Sequence, residues 1–329
     1  MLNGDFEKLL NKNVSVKSIY PFSFDEINKF KKVLISLKIL FFKNPIYKKY
    51  VKNNYDVEVA FLEGPITTIL SSKNEKAKKI AWIHTDISLP FENNLKFNLK
   101  KFLNKHLYKK YNKLVFVSDH NLDKFNRIYN INVPKMVIHN YLNTKNVLSK
   151  SKEFNPNYPK DNIINFVTVS RLVEQKAMDR LITVHHKLIT EGYNHRFYVV
   201  GTGPLKSYLE NLINKLNVSN TFFLLGQKGN PYPYILNADY FCLLSYSEGL
   251  PMTLLEAKAL KKYIIITDTA SKEALENYNN KKIAENSETG IYNALKDIIK
   301  NHDSLQISTN ITNDENNEII KKIINILGE

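Results

Sequence analysis

Residues 243 to 260 read LLSYSEGLPMTLLEAKAL, an apolar run, a turn and a helical pattern carrying Glu248 and Glu256 eight positions apart. The run ends in a loop that holds Glu248. Glu256 falls about one turn into the following helix, so both carboxylates can face one crevice. Pro251 suits the first helical position, which leaves the next backbone N–H groups without intrahelical partners. A helix start with Gly249 beside it attracts anions. Carboxylates next to an anion site are poor phosphate ligands but good acceptors for hydroxyl groups, such as those of a sugar or a ribose diol. The competing reading of such a pair is a solvated helix face with one capping carboxylate.

Two other strand ends carry chemistry of the same kind. After NFVTVS comes RLVEQKAMDRLI, with Arg171 at the strand end and Lys176 five residues on. Two cations at one sheet edge can neutralise a diphosphate; ordinary surface charges, with Glu174 nearby, are the alternative. After FYVV comes GTGP, where Gly201 and Gly203 would let backbone approach a phosphate or nucleotide. This turn lacks a third glycine and runs into Pro204, so it is not a dinucleotide fingerprint.

The elements that must hold these residues are apolar, β-branched runs separated by helical patterns. Strands are predicted at 57–62, 79–84, 114–118 and 135–140 in the first half, and at 165–170, 197–201, 221–226, 240–245 and 263–267 in the second. Continuously apolar strands alternating with helices predict α/β domains with parallel sheets covered on both faces. Ligands of such sheets bind beyond the carboxyl ends of the strands. The polar segment 143–162, with two prolines and no strong periodicity, reads as a linker between a domain over 1–142 and another over 163–329. No internal repeat or low-complexity tract is present.

Length and composition fit this division. The chain has 329 residues, too many for one ordinary core; 43% are hydrophobic and 24% charged, a globular balance. The lone Cys242, inside YFCLLS, excludes a disulfide framework and suits a reducing compartment. No signal pattern opens the chain, and the apolar run 33–42 is interrupted by Lys38 and too short to span a bilayer. The net charge of +15 is uneven. Residues 1–140 hold 25 Lys or Arg against 12 Asp or Glu, and residues 141–329 hold 22 against 20. That asymmetry points to an anionic partner for the first half, or to lysines that merely solubilise an aromatic-rich domain.

Taken in order, SRLVEQKAMDRLI, VVGTGPL, LLGQKGNP, LLSYSEGLPMTLLEAKAL and TDTASKEAL resemble the donor-binding domain of GT-B glycosyltransferases of the retaining family 4 type, with Glu248 and Glu256 as the family's E-x7-E motif. YDVEVAFLEGPIT, KKIAWIHTD and LVFVSDHNLDKF extend the resemblance over nearly the whole chain. It implies two Rossmann-like domains facing each other across a cleft. It also implies a role for each residue. Arg171 and Lys176 would grip the diphosphate of a nucleotide-sugar as it leaves. Glu256 would accept the ribose hydroxyls. Glu248, with the backbone of Gly249, Leu250, Pro251 and Met252, would hold the donor sugar, and His84 would face that sugar from the first domain. As a bare feature, His84 is equally a satisfied histidine at a strand end. No cofactor is implied beyond the UDP- or GDP-linked donor, and without a D-x-D triplet no metal is expected.

Three departures from the family stand out. Relatives open with a strand and a glycine-rich turn, whereas this chain opens near what resembles the end of their second strand, so a truncated opening is expected. Ala177, and the pair Lys261 and Tyr263, replace residues that are usually glycine or proline. Meanwhile, residues 30–50 and 96–113 mix lysines with aromatics at helical spacing, which suits the headgroup region of an anionic membrane or a helix packed on the first sheet. The expectation is a cytoplasmic enzyme, peripheral at the inner membrane face, transferring a hexosyl or N-acetylhexosaminyl group to a glycan or lipid-linked acceptor in cell-surface polysaccharide or glycolipid synthesis. The alternatives are a truncated relative that only binds nucleotide-sugar and a nucleotide-sugar epimerase. No nucleic-acid partner is expected.

Overall fold

The structure, a computed structural model, describes residues 10–20, 27–51, 55–72, 74, 76–84, 95–159, 161–305 and 315–328. Its elements run α1 (Lys29–Tyr50), β1 (Val57–Phe61), α2 (Pro65–Leu70), β2 (Lys78–Ile83), α3 (Leu95–Tyr108), β3 (Lys113–Phe116), α4 (Asp119–Tyr129), β4 (Lys135–Val137) and α5 (Thr144–Lys150). They continue with β5 (Ile164–Val169), α6 (Met178–Thr190), β6 (His195–Val200), α7 (Lys206–Lys215), β7 (Phe222–Gly226), α8 (Tyr232–Asn237) and β8 (Tyr240–Leu243). Last come α9 (Met252–Ala259), β9 (Tyr263–Thr267), β10 (Lys281–Ala284), α10 (Glu288–Lys300) and α11 (Glu315–Gly328). Two compact units result: Met1–Phe116 with Leu122–Val137, and Val117–Asn121 with Ile138–Glu329. The segment 143–162, expected as a linker, therefore lies inside the second unit. Asn143 caps α5 there and Val147 is buried. One buried residue in a short polar helix leaves no period to read.

The first unit is built on a parallel sheet in the order β1-β2-β3-β4. Helix α1 starts where Asn28 accepts the Lys31 N–H, and it buries Ile35, Ile39 and Tyr47 in this unit's core. That accounts for the expected apolar stripe. A second stripe, Phe30, Val33, Leu34, Leu37 and Phe41 at spacings of 3, 4, 7 and 11 from the first, is exposed. Residues 1–9, on which the expectation of a truncated opening rests, lie outside the described residues.

The second unit carries a parallel sheet in the order β10-β9-β8-β5-β6-β7. Alternate strand residues feed opposite faces. Phe166, Cys242 and Ile265 pack with Leu181 of α6 and Ile291 of α10, while Val167, Phe241 and Ile264 pack with Leu254 and Ala257 of α9. Both faces are covered, which is why these strands read as continuous apolar runs. Strand β10, KKIA, is a partly exposed edge strand with too little apolar character to be predicted. The chain winds outward from β5 to β7 in one direction and from β8 to β10 in the other. The pairing of β5 with β8 is thus a topological switch point, where a crevice opens at the carboxyl edge.

Candidate functional site

Lys176 and Glu248 meet at that edge. The loop after β5 turns through a single 3-10 turn, Glu174–Lys176, and the loop after β8 carries Glu248. Lys176 Nζ donates to Glu248 Oε1 at 2.6 Å, and Ser245 Oγ donates to the same oxygen at 2.5 Å. Both side chains of the ion pair are largely buried. Ser245 is itself held by Thr267 Oγ1, which donates to its carbonyl at 2.6 Å. The two loops are also joined by backbone, Tyr246 N–H to Gln175 C=O at 2.9 Å, and by Gln175 Nε2 to Ser247 C=O at 2.8 Å. Below them Arg180 of α6 donates to Leu244 C=O, stacks on the Tyr246 ring and donates to Asn286, whose amide returns to Tyr246 C=O. Ser170 Oγ and Ser247 Oγ are buried at this edge without hydrogen-bond partners. Orphan hydroxyls beside a charged pair make a place for a polar ligand.

Glu256 lies on α9, whose first residue is Met252. Pro251 is the residue before the helix, extended at ψ 134°, not its first residue as expected. Pro251 also has no N–H, so within 249–252 only Gly249, Leu250 and Met252 can donate from backbone. No side chain caps α9, which leaves its leading N–H groups for a ligand. Asn140 Nδ2 holds the loop by donating to Leu250 C=O at 2.9 Å. Burial pushes the Glu256 carboxyl up from its ordinary range, and the Tyr232 hydroxyl, donating to Oε1 at 3.2 Å, partly offsets this. Sequence reasoning missed Tyr232, Ser245 and Arg180, because each is defined by a neighbour distant in the chain.

The remaining expected residues divide. Arg171 is exposed directly after Ser170. Gly201 and Gly203 are explained by backbone packing: a Cβ at Gly201 would stand 1.9 Å from Ser170 O, and one at Gly203 would stand 2.3 Å from Leu172 O. Their smallness lets the GTGP turn lie against the loop that carries Arg171. His84 follows β2 in the first unit; its N–H donates to Glu63 Oε1 at 2.7 Å and its ring packs edge-on against Phe61. Burial lowers its pKa, so the ring is neutral, and Nε2 is buried with no hydrogen-bond partner. Among the described residues, Asp119, His139 and Glu273 are close enough to share a cation, with ligand atoms within 4.8 Å. The Glu273 carboxylate, however, already accepts from Asp119 N–H, His120 N–H and His139 Nε2.

Residues 149–314, just over half of the chain and including this whole edge, match the family model for glycosyl transferases group 1. The chain belongs to that family. A segment of 110 residues is 41% identical to an uncharacterized glycosyltransferase of Methanocaldococcus jannaschii, covering 33% of this chain and 27% of that protein. Over 230 residues it is 29% identical to the N-acetylgalactosamine-N,N'-diacetylbacillosaminyl-diphospho-undecaprenol 4-alpha-N-acetylgalactosaminyltransferase of Campylobacter jejuni, covering 68% of this chain and 61% of that one. The matched segment thus spans less than two thirds of either relative. The solved structure of Anabaena HepE in complex with UDP and glucose aligns with a TM-score of 0.70 at 15% identity, over 87% of this chain and 81% of that chain. The group 1 glycosyltransferase described here therefore has the GT-B fold class, with parallel sheets of four and six strands.

Proposed function

We propose that this group 1 glycosyltransferase moves a sugar from a UDP- or GDP-linked donor to a glycan or lipid-linked acceptor, with retention of configuration, as the family 4 resemblance implies. The observation that carries the reading is the Lys176–Glu248 pair seated at the β5/β8 switch point, beside the uncapped start of α9. An ammonium has three donors, and Glu248 takes one of those of Lys176. The others, with exposed Arg171, serve the diphosphate as negative charge grows on the leaving oxygens, where fixed cations act most strongly. The sugar develops oxocarbenium character as that bond breaks. Glu248, Ser247 and the Gly249, Leu250 and Met252 N–H groups hold the sugar hydroxyls, and Glu256 with Tyr232 receives the ribose diol. The leaving phosphate takes the acceptor proton on the same face, and no metal is used.

The Campylobacter relative is named for transfer to an undecaprenol-linked acceptor. An acceptor of that class, at the cytoplasmic membrane face in the synthesis of surface glycan, agrees with the basic first half and with the exposed apolar stripe of α1. No helix among the described residues is long and apolar enough to cross a membrane. Calorimetric titration with UDP, GDP and their sugars, without metal, beside Glu256→Ala and Arg171→Ala, tests the donor site. Binding that selects one base and weakens in both variants supports it; no nucleotide binding by the folded chain overturns it. Product analysis separates transfer from epimerisation, which needs no acceptor.

A further inference from the structure

The first unit holds a cavity of about 510 Å³ at the amino ends of its strands. It is lined by Ser72, Lys79, Lys110 and Asn112 among others, and Lys79 stands at the start of β2 while Asn112 immediately precedes β3. His84 follows the other end of β2. A six-residue strand separates the two by about 20 Å, so within the first unit the cavity lies at the sheet edge opposite to His84, and none of its lining residues belongs to the donor edge of the second unit.

Its chemistry is cationic. Lys43 of α1 reaches in, with Nζ donating to Ser71 Oγ at 2.7 Å, and its ammonium lies against that of Lys110. Lys79 is buried; it donates to Leu70 C=O at 2.8 Å and to Ser72 C=O, and stands 3.6 Å from Glu58. Lys79 and Lys110 thus line the cavity, Lys43 is tied to its Ser71, and of the three only Lys79 is paired with Glu58 among the described residues. Tyr47 and Asn74 further satisfy that carboxylate by donating to its Oε1. Ser72 is 3% exposed and its hydroxyl has no hydrogen-bond partner. Asn112 Oδ1 accepts the Lys79 N–H at 2.7 Å, which leaves the amide NH₂ as a donor. Like charges collected beside an orphan hydroxyl are unfavourable unless an anion completes the set.

We propose that this cavity is a second anion site, which takes a phosphoryl group through Lys43, Lys110, Ser72 and Asn112, with Lys79 fixing its floor. Burial first, and then the neighbouring Lys110 and Lys79, pull the Lys43 ammonium down to about 8. An oxyanion beside it reverses that shift. The phosphoryl group belongs either to a soluble phosphate ester or to a lipid headgroup.

The test uses the full chain with ¹³C-labelled lysine and inorganic phosphate as probe, at constant ionic strength against chloride. The Lys43 signal is expected to titrate near pH 8 in chloride and to move upward in phosphate. Arg171→Ala, which removes a cation of the donor edge, is expected to leave that response unchanged. Lys110→Ser is expected to weaken phosphate binding about tenfold, the loss of one charge-assisted hydrogen bond. A Lys43 midpoint that phosphate does not move overturns the proposal, and so does undiminished affinity in folded Lys110→Ser. If that variant does not fold, the wild-type midpoint still decides. Vesicles of phosphatidylglycerol against phosphatidylcholine identify the source. Once dissolved phosphate has moved the Lys43 midpoint, a shift with phosphatidylglycerol vesicles as well assigns a headgroup, and no shift with them assigns a soluble ester.

Discussion

At the scale of single residues, each glutamate of the candidate site makes a separable prediction. Glu248 is 4% exposed, and its charge is balanced by Lys176. Lys176→Met leaves a buried carboxylate with only Ser245 as donor, and is expected to cost about 2 kcal/mol in stability. Lys176→Met with Glu248→Gln is expected to recover most of that in denaturant unfolding, because a neutral amide needs no counter-ion. For Glu256 the expected effect is on binding. Its raised pKa means that the acceptor carboxylate is lost at a pH above the ordinary glutamate value. Nucleotide affinity is therefore expected to fall as pH drops through that raised pKa and to be full above it. Calorimetry across pH checks this, and Glu256→Gln should flatten the profile as it lowers affinity about tenfold.

At the scale of elements, two backbone positions explain what the departures from the family cost. Ala177 (φ 50°) and Lys261 (φ 56°) both sit in the left-handed region, where glycine is free of the Cβ penalty. Lys261 ends α9 in a paired cap, with Lys261 N–H to Lys258 C=O and Lys262 N–H to Ala257 C=O. Lys261→Gly is expected to stabilise the chain by about 1 kcal/mol in urea unfolding. A buried relay ties α6 to β6 and the start of β7. His185 Nδ1 lies 2.8 Å from His195 Nε2, His185 Nε2 lies 2.8 Å from Thr221 Oγ1, and His195 Nδ1 lies 2.7 Å from Tyr193 O. Burial pulls His195 down to about 4 and His185 to about 2. Both are neutral when folded, whereas the unfolded chain takes up protons near pH 6.5. Below that pH the unfolded state binds more protons, so stability falls with pH, by up to about 1.4 kcal/mol per unit for each histidine between pH 6 and 4. Imidazole NMR is expected to show both rings neutral at pH 5 while unfolding midpoints drop.

At the scale of the whole chain, the charge excess and the exposed stripe of α1 lie in the same half. Vesicle sedimentation is expected to show binding to anionic lipid that weakens with salt, and little binding to zwitterionic lipid. Phe30→Ser with Phe41→Ser is expected to reduce it at least tenfold, since burying one phenyl ring is worth about 1.5–3 kcal/mol. Unchanged partition in that double variant would return the stripe to an ordinary surface and leave the lysines as solubilising charge.

Nine of the ten strands among the described residues were legible from the sequence to within about three residues at their ends, because a strand buried on both faces must be apolar throughout and that pattern is local. The same locality made Glu248 and Glu256 legible: a strand exit and the next helix follow directly in the chain. Strand β10 and α5 were not, since an edge strand and a helix with one buried residue carry almost no pattern. What only the tertiary structure decided are the pairings between distant segments. Lys176 meets Glu248 across 72 residues, and Tyr232 meets Glu256 across 24. Lys43, Lys79 and Lys110 gather on one cavity. Periodicity specifies which face of an element is apolar, but the order in which strands lie side by side is settled by packing, and that order puts β5 next to β8 and brings a cation from one loop onto a carboxylate of the other.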